Sequence, residues 1–235
     1  GDGTAREAKE AANWARKAAV QGAPEAQFLL ARLLREGDGA SKDEKEAASW
    51  ARKAAEQDFV LAQILIGDMT GAGEGVNKDW FESLKWYQKA AEQGSMDAVY
   101  RIGALYADGR GVARDYRTAA DWLRRAAEAG VPEAQFRLGR LLEDGKGCEA
   151  DPAAALEQYK KAAERGNGQA MTRLVELERG AKAVKPDAAR ELAQYRKAAA
   201  QGSPQAELFL ARLLREGDGV TKDAREAASW ARKAA

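Results

Sequence analysis

Glu143 beside Asp144, Asp108 close before Asp115, a lone Cys148 and five Gly-x-Gly turns are the residues whose types could carry chemistry. Paired carboxylates can divide acid and base work in glycoside hydrolysis, but only across an enclosed cleft. In a chain that is 32% charged, such pairs also arise on any solvated face. A thiol becomes a nucleophile when a neighbouring base or cation draws off its proton. This chain contains no histidine, which removes the commonest general base and the commonest zinc ligand. Cys148 occupies the turn position held elsewhere by Val76, Val112, Val184 and Val220, so it is read as a buried apolar thiol. Gly-x-Gly turns ahead of helix N-termini can cradle phosphate. No Gly-Lys-Ser/Thr follows them and no strand precedes them, so they are read as turns between packed helices. The expectation is a non-catalytic chain with no cofactor and no metal.

The elements that would position these residues follow a strict cadence. Lys17, Lys53, Lys89, Arg125, Lys161, Lys197 and Lys233 fall 36 residues apart, each followed by two alanines. A fixed period of this length marks a stack of one supersecondary unit, each copy contacting its neighbours. Two helical patterns alternate within the period. In the first, helix A, Ala26, Leu30, Leu33 and Leu34 share one face, and Ala98, Ile102, Leu105 and Tyr106 repeat it. In the second, helix B, Trp50 precedes Ala54 by four residues, as Trp86 precedes Ala90 and Trp122 precedes Ala126. Gly22, Gly94, Gly130, Gly166 and Gly202 stand where a left-handed residue ends helix B, and Pro24, Pro132 and Pro204 open the next helix. Asp43, Asp79, Asp115, Asp151, Asp187 and Asp223 stand as N-caps, and Asp43 with Glu46, Asp79 with Glu82 and Asp223 with Glu226 offer capping boxes. The reading is an all-α solenoid of antiparallel helix pairs. It forms one repeat domain over 1–235, with a half unit at 1–22 and units at about 23–58, 59–94, 95–130, 131–166, 167–202 and 203–235.

Composition narrows the function classes. With 38 basic and 37 acidic residues the net charge is +1, so no global field favours nucleic acid. No apolar run approaches the roughly 20 residues that cross a bilayer. One cysteine permits no intrachain disulfide.

The run Ala98, Ile102-Gly103, Tyr106, Gly109, Gly111-Val112, Asp115, Ala119, Trp122, Arg125-Ala126-Ala127 and Gly130 resembles the Sel1-like repeat, and phased copies extend the resemblance over essentially the whole chain. Leu123 departs from the tyrosine that Tyr87 keeps one unit earlier. The resemblance implies a right-handed superhelix related to tetratricopeptide repeats and a role as an adaptor in protein complexes, often bacterial. On that reading the compartment is the bacterial cytoplasm, or the periplasm after a leader is removed. The alternative class is a secreted or periplasmic hydrolase acting on cell-wall or β-lactam substrates, against which the missing histidine and paired cysteines count.

Recognition is expected on the outward face of helix A, opposite the core stripe. Phe28, Arg32, Tyr100, Phe136, Arg140 and Arg212 project there, and Arg101, Arg137 and Arg173, 36 apart, form a ladder along one edge. Aromatic anchors beside guanidinium groups suit a protein or peptide partner bearing acidic residues. The competing reading is a solvated face whose arginines pair with neighbouring carboxylates. Residues 29–55 and 209–235 differ at only five positions, and Gly1 to Ala19 repeats Gly217 to Ala235, so the chain is expected to start and stop on a helix B; such ends would expose apolar surface and suit end-to-end association.

The unit from Gln169 to Tyr195 breaks the pattern: Val175 replaces glycine or alanine, Glu178 replaces an apolar residue, and Ala181 and Ala183 replace the turn glycines. Gln158 and Gln194 replace tryptophan in the flanking B helices. A different turn and lower local stability are expected there. Amide exchange across residues 172–187 should run faster than across 100–115, and equal protection would count against this reading.

Overall fold

The computed structural model describes residues 2–183, 186–217 and 221–234, with side chains described from residue 7 onward except at 178–191, 204 and 205. Thirteen α-helices and no strands occur among the described residues. They are α1 (Asp2–Val20), α2 (Pro24–Glu36), α3 (Glu44–Ala55), α4 (Val60–Ala72), α5 (Trp80–Glu92), α6 (Met96–Asp108) and α7 (Tyr116–Glu128), then α8 (Pro132–Asp144), α9 (Pro152–Glu164), α10 (Gly168–Ala183), α11 (Pro186–Ala200), α12 (Pro204–Glu216) and α13 (Ala224–Lys233). Even-numbered helices are the A helices and odd-numbered ones the B helices. They form two compact units, Gly1–Ala170 and Met171–Ala235.

In the first unit each helix packs on the next in the chain, so the contacts are local and repeated. The B helices present alanine: Ala47, Ala48, Ala51, Ala54 and Ala55 of α3 are all buried, meeting Leu30 and Leu34 of α2 and Ala62, Ile66 and Met69 of α4. A helix face without large side chains lets its neighbours approach closely, and each leucine it covers contributes about 2 kcal/mol. On the A helices the same economy is taken further. Gly139 faces the ring of Tyr159, and a Cβ there would stand 2.6 Å from Cε1; Gly67 meets Tyr87 in the same way.

The A-to-B turn explains both the glycines and the aspartates. Gly37 ends α2 in the left-handed region, φ 77°, with its N–H donating to the Leu33 carbonyl. Asp43 then caps α3, its side chain accepting from the Glu46 N–H at 2.9 Å. The capping boxes are half-formed, because the Asp43 N–H already donates to the Leu34 carbonyl at 2.9 Å. Glu46 is therefore free to accept from Trp50 Nε1 at 3.1 Å and to pair with Arg16 one repeat earlier. Glu82 repeats this with Trp86 and Arg52, and in the second unit Glu226 does so with Trp230 and Arg196.

The 36-residue lysine cadence has a structural use. Lys53 lies over the Trp50 ring at 4.1 Å, and Lys17 over Trp14, Lys89 over Trp86, Arg125 over Trp122 and Lys233 over Trp230 repeat the contact. Each is worth about 0.5–1 kcal/mol at an exposed site. Where Gln158 removes the ring, Lys161 turns to Glu157 at 2.6 Å instead.

In the irregular unit, α10 runs on to Ala183 through the positions where other A helices have stopped at glycine. Asp187 is thereby corrected from an N-cap to a first-turn residue, since α11 begins at Pro186. Residues 184 and 185, and with them the turn itself and the Val184 position, lie outside the described residues, as do Val220 and the side chains of Glu178, Ala181 and Ala183.

Stacking of one repeat on the next rests on the second turn glycine. At Gly75, φ 69°, a Cβ would collide with the Glu44 carbonyl at the start of the preceding B helix, and Gly39, Gly111 and Gly147 make the same approach to Ala8, Trp80 and Tyr116. Gly94 has a similar φ of 88° but open space around it. Gly94→Ala should therefore cost only its left-handed backbone, about 1 kcal/mol. Gly75→Ala should cost about 3 kcal/mol or more, because the neighbouring backbone must move as well. Urea midpoints followed by circular dichroism check this; equal shifts would show that the close approach is not a constraint.

Candidate functional site

The residues that could have done chemistry are each engaged separately. Glu143 accepts from the Tyr159 hydroxyl at 2.6 Å, while its neighbour Asp144 pairs with Lys146 at 2.8 Å. Asp108 accepts from Arg137 at 3.1 Å. Asp115 caps α7 through the Arg117 and Thr118 N–H groups, and the Thr118 hydroxyl holds its carboxyl below the usual range. Cys148 is corrected from buried to half-buried: it packs at the margin of the α7–α8 core, its thiol 3.7 Å from the Lys146 carbonyl. No cluster of three metal-ligating side chains occurs among the described residues.

The helix A face is more structured than a row of outward side chains. Phe28 is half-buried against the core and packs on Phe59 at 5.5 Å, and Arg32 beside it is exposed, 3.7 Å from Glu36. Ile64, the equivalent of Phe28 one repeat on, is buried rather than outward-facing. Arg101 and Arg137 pair across repeats, each with an aspartate of the preceding A helix. The Arg101 guanidinium on α6 meets Asp68 of α4 at 2.5 Å and Asp97 at 3.3 Å, and Arg137 on α8 reaches Asp108 of α6. Arg35 of α2 is held likewise by Glu74, through hydrogen bonds of 2.6 and 3.2 Å.

Asp68 is the centre of this network. Its Oδ1 also accepts from the Tyr87 hydroxyl at 2.6 Å, so one carboxylate ties α4, α5 and α6 together. Burial pushes the Asp68 carboxyl above its ordinary value, with Arg101 and Tyr87 opposing. Burial and the Asp68 charge together push the Tyr87 phenol far up, so it stays a donor. At Arg101 burial works against the charge, but Asp68 and Asp97 outweigh it and hold the guanidinium above its ordinary value.

Two hollows open along this face in the first unit. One, about 270 Å³, is lined by Arg35, Trp80, Tyr87, Tyr100 and Arg101, with Arg110 and Arg137 at its edge. The other, about 320 Å³, shares Asp108 and Arg137 with the first and adds Tyr116, Phe136, Arg140 and Lys146. Phe136 stands 5.7 Å from the Tyr159 ring. Arg140 is exposed, and no carboxylate within the described residues pairs with it. The structure thus brings Tyr100, Arg101, Phe136, Arg137 and Arg140 onto one recessed surface and leaves Phe28 and Arg32 outside both hollows. Arg173 and Arg212 belong to the second unit, where Arg173 meets Glu176 at 2.8 Å and Arg212 meets Glu216 at 3.2 Å. There Arg212 borders an apolar groove of about 680 Å³ formed by Leu208, Phe209, Ala227, Ala228 and Ala231.

Sequence reasoning missed a glutamine ladder. Gln27 Nε2 donates to the Ala19 carbonyl at 3.2 Å, and Gln27 Oε1 accepts from Gln57 at 2.8 Å; Gln63, bonded to Ala55 and Gln93, repeats both links. The signal was present, since glutamine recurs at 27, 63 and 135 in the helix A register, where a polar residue can be buried only with partners.

Stacked antiparallel helix pairs with a recessed aromatic and arginine face define an α-helical repeat protein. The chain belongs to the Sel1 repeat family, whose model matches residues 1–22, 24–59, 60–95, 97–131, 132–167, 176–203 and 204–235. It is similar to the crystal structure of c5321, described as a protective antigen of uropathogenic Escherichia coli strains displaying an SLR fold. The two are 36% identical at a TM-score of 0.66, over 96% of this chain and 49% of that one. The chain thus spans about half the length of that relative. A Sel1 repeat protein from Oxalobacter formigenes is also 36% identical, at a TM-score of 0.63, covering 91% of this chain and 87% of its own. A putative Sel1 repeat protein from Klebsiella pneumoniae shares the fold at 19% identity and a TM-score of 0.51, over 95% of this chain and 91% of its own. No curated protein matches the chain.

Proposed function

We propose that the chain is a binding scaffold that takes a protein or peptide segment on the helix A face of its first unit. Sel1 repeats are commonly protein-interaction modules, and no helix among the described residues is long and apolar enough to cross a membrane. The observation that carries the reading is the pair of adjoining hollows, lined by Tyr100 and Phe136 with arginines between them. Aromatic side chains supply contact area at low entropic cost, and guanidinium groups favour segments containing Asp or Glu. Arg101 and Arg137 act here as pre-positioned donors whose aspartate partners hold them in place. Their mutation to glutamate would disturb the stack, so the aromatic residues make the cleaner test. Random-peptide phage selection on the chain should enrich acidic peptides, and Tyr100→Ala with Phe136→Ala should weaken the selected peptides at least tenfold with helix content unchanged. Undiminished binding by the double variant would overturn the reading.

A second reading concerns the apolar groove of the second unit, with Leu208 64% and Phe209 44% exposed. This surface supports self-association of the chain. Light scattering across a concentration series should show a rising mass that Leu208→Glu abolishes; a constant monomer mass would exclude it.

A further inference from the structure

We infer that Arg140 is the carboxylate-reading residue of the helix A face, and that the side chain it selects is a single Asp or Glu rather than a phosphorylated residue. The inference rests on the binding reading above and specifies what that surface recognises. The two hollows are lined by six cations: Arg35, Arg101, Arg110, Arg137, Arg140 and Lys146. Five of these already stand within ion-pair distance of a carboxylate. Arg35 is held by Glu74, Arg101 by Asp68 and Asp97, Arg137 by Asp108 with Arg110 at 3.8 Å from the same carboxylate, and Lys146 by Asp144. Glu143, next along α8, is taken by the Tyr159 hydroxyl. Among the described residues Arg140 is the one cation lining these hollows without a carboxylate partner, and its charge is felt at Lys146.

That inventory sets the charge of the ligand. A guanidinium offers two parallel N–H donors to one carboxylate, a match in both geometry and charge. A phosphate near neutral pH carries nearly two negative charges and gains most where several unpaired cations converge. The nearest further cations, Arg137 and Lys146, are already charge-paired with Asp108 and Asp144, so a dianion brought up to them would also meet those two carboxylates. The walls around Arg140 extend the description. Phe136 lies one turn before it on α8, and Leu141 and Tyr116 complete the hollow, so the recognised acid should have an apolar or aromatic residue beside it.

The test uses peptides from the phage selection, synthesised with acetylated and amidated ends so that no terminal carboxylate competes. Each is made with Glu, Gln or phosphoserine at its acidic position, and binding to the full chain is read by fluorescence anisotropy. On the wild-type chain the Glu form should bind about tenfold more tightly than the Gln form, and phosphoserine no more tightly than Glu. Arg140→Ala should erase the difference between Glu and Gln, while Arg140→Lys, which keeps the charge and loses the fork, should retain part of it. Arg140 is exposed on α8, and unchanged circular dichroism would confirm that each variant is folded. Discrimination that survives Arg140→Ala would overturn the assignment while leaving the binding surface intact, provided the Tyr100 and Phe136 double variant still loses the peptides. Phosphoserine binding tenfold tighter than Glu would overturn the single-charge argument. Peptides indifferent to both sets of variants would remove the binding surface itself.

Discussion

The close approach of each second turn glycine to the preceding B helix is the constraint on which the rest of the structure depends. At Gly75 the chain passes so near the Glu44 carbonyl that any side chain would force the two repeats apart. Once that distance is set, the cross-repeat bonds fall into reach: Arg52 with Glu82, Gln57 with Gln27, and Arg101 with Asp68. Each is modest alone: an exposed ion pair such as Arg52 with Glu82 contributes about 0–1 kcal/mol, and a side-chain hydrogen bond such as Gln57 with Gln27 about 1 kcal/mol. Their value lies in direction. They fix the angle at which one helix pair follows the next, while the alanine faces and leucines supply the burial.

The recessed face inherits its chemistry from the same stacking. Asp68 and Asp108 are each one repeat behind the arginine they hold, so the guanidinium groups are placed by the solenoid as well as, for Arg101, by Asp97 of its own helix. A surface built this way is ordered before any ligand arrives, and little rotamer freedom is lost on binding. The same pairing spends most of the positive charge internally. What remains for a partner is set by the residues outside the pairs, Arg140 above all, and by the rings of Tyr100 and Phe136.

Much of the architecture was legible because a repeat states its rules several times. Helix order, the left-handed glycines after helix B, and the aspartate N-caps at 43, 79, 115, 151 and 223 all follow from local backbone preferences, which a sequence displays directly. The capping boxes were misread for an instructive reason: the Asp43 N–H had a competing acceptor in Leu34, nine residues away through a turn. Glu46 was thereby released to a tryptophan and a distant arginine. Cys148 was placed too deep because the turn position it shares with valine sits at the core's margin.

By itself the sequence determined the period, the helix pairs and the family, since these rest on spacing along the chain and on which residues tolerate a given backbone. It also supplied the candidates Tyr100, Arg101, Phe136, Arg137 and Arg140. Only the tertiary structure decided their roles. Whether an arginine is available depends on which carboxylate stands opposite it, and for Arg101 and Arg137 that carboxylate lies on the preceding repeat. Arg101 and Arg140 look alike in sequence; Asp68 faces the first, and among the described residues no carboxylate pairs with the second.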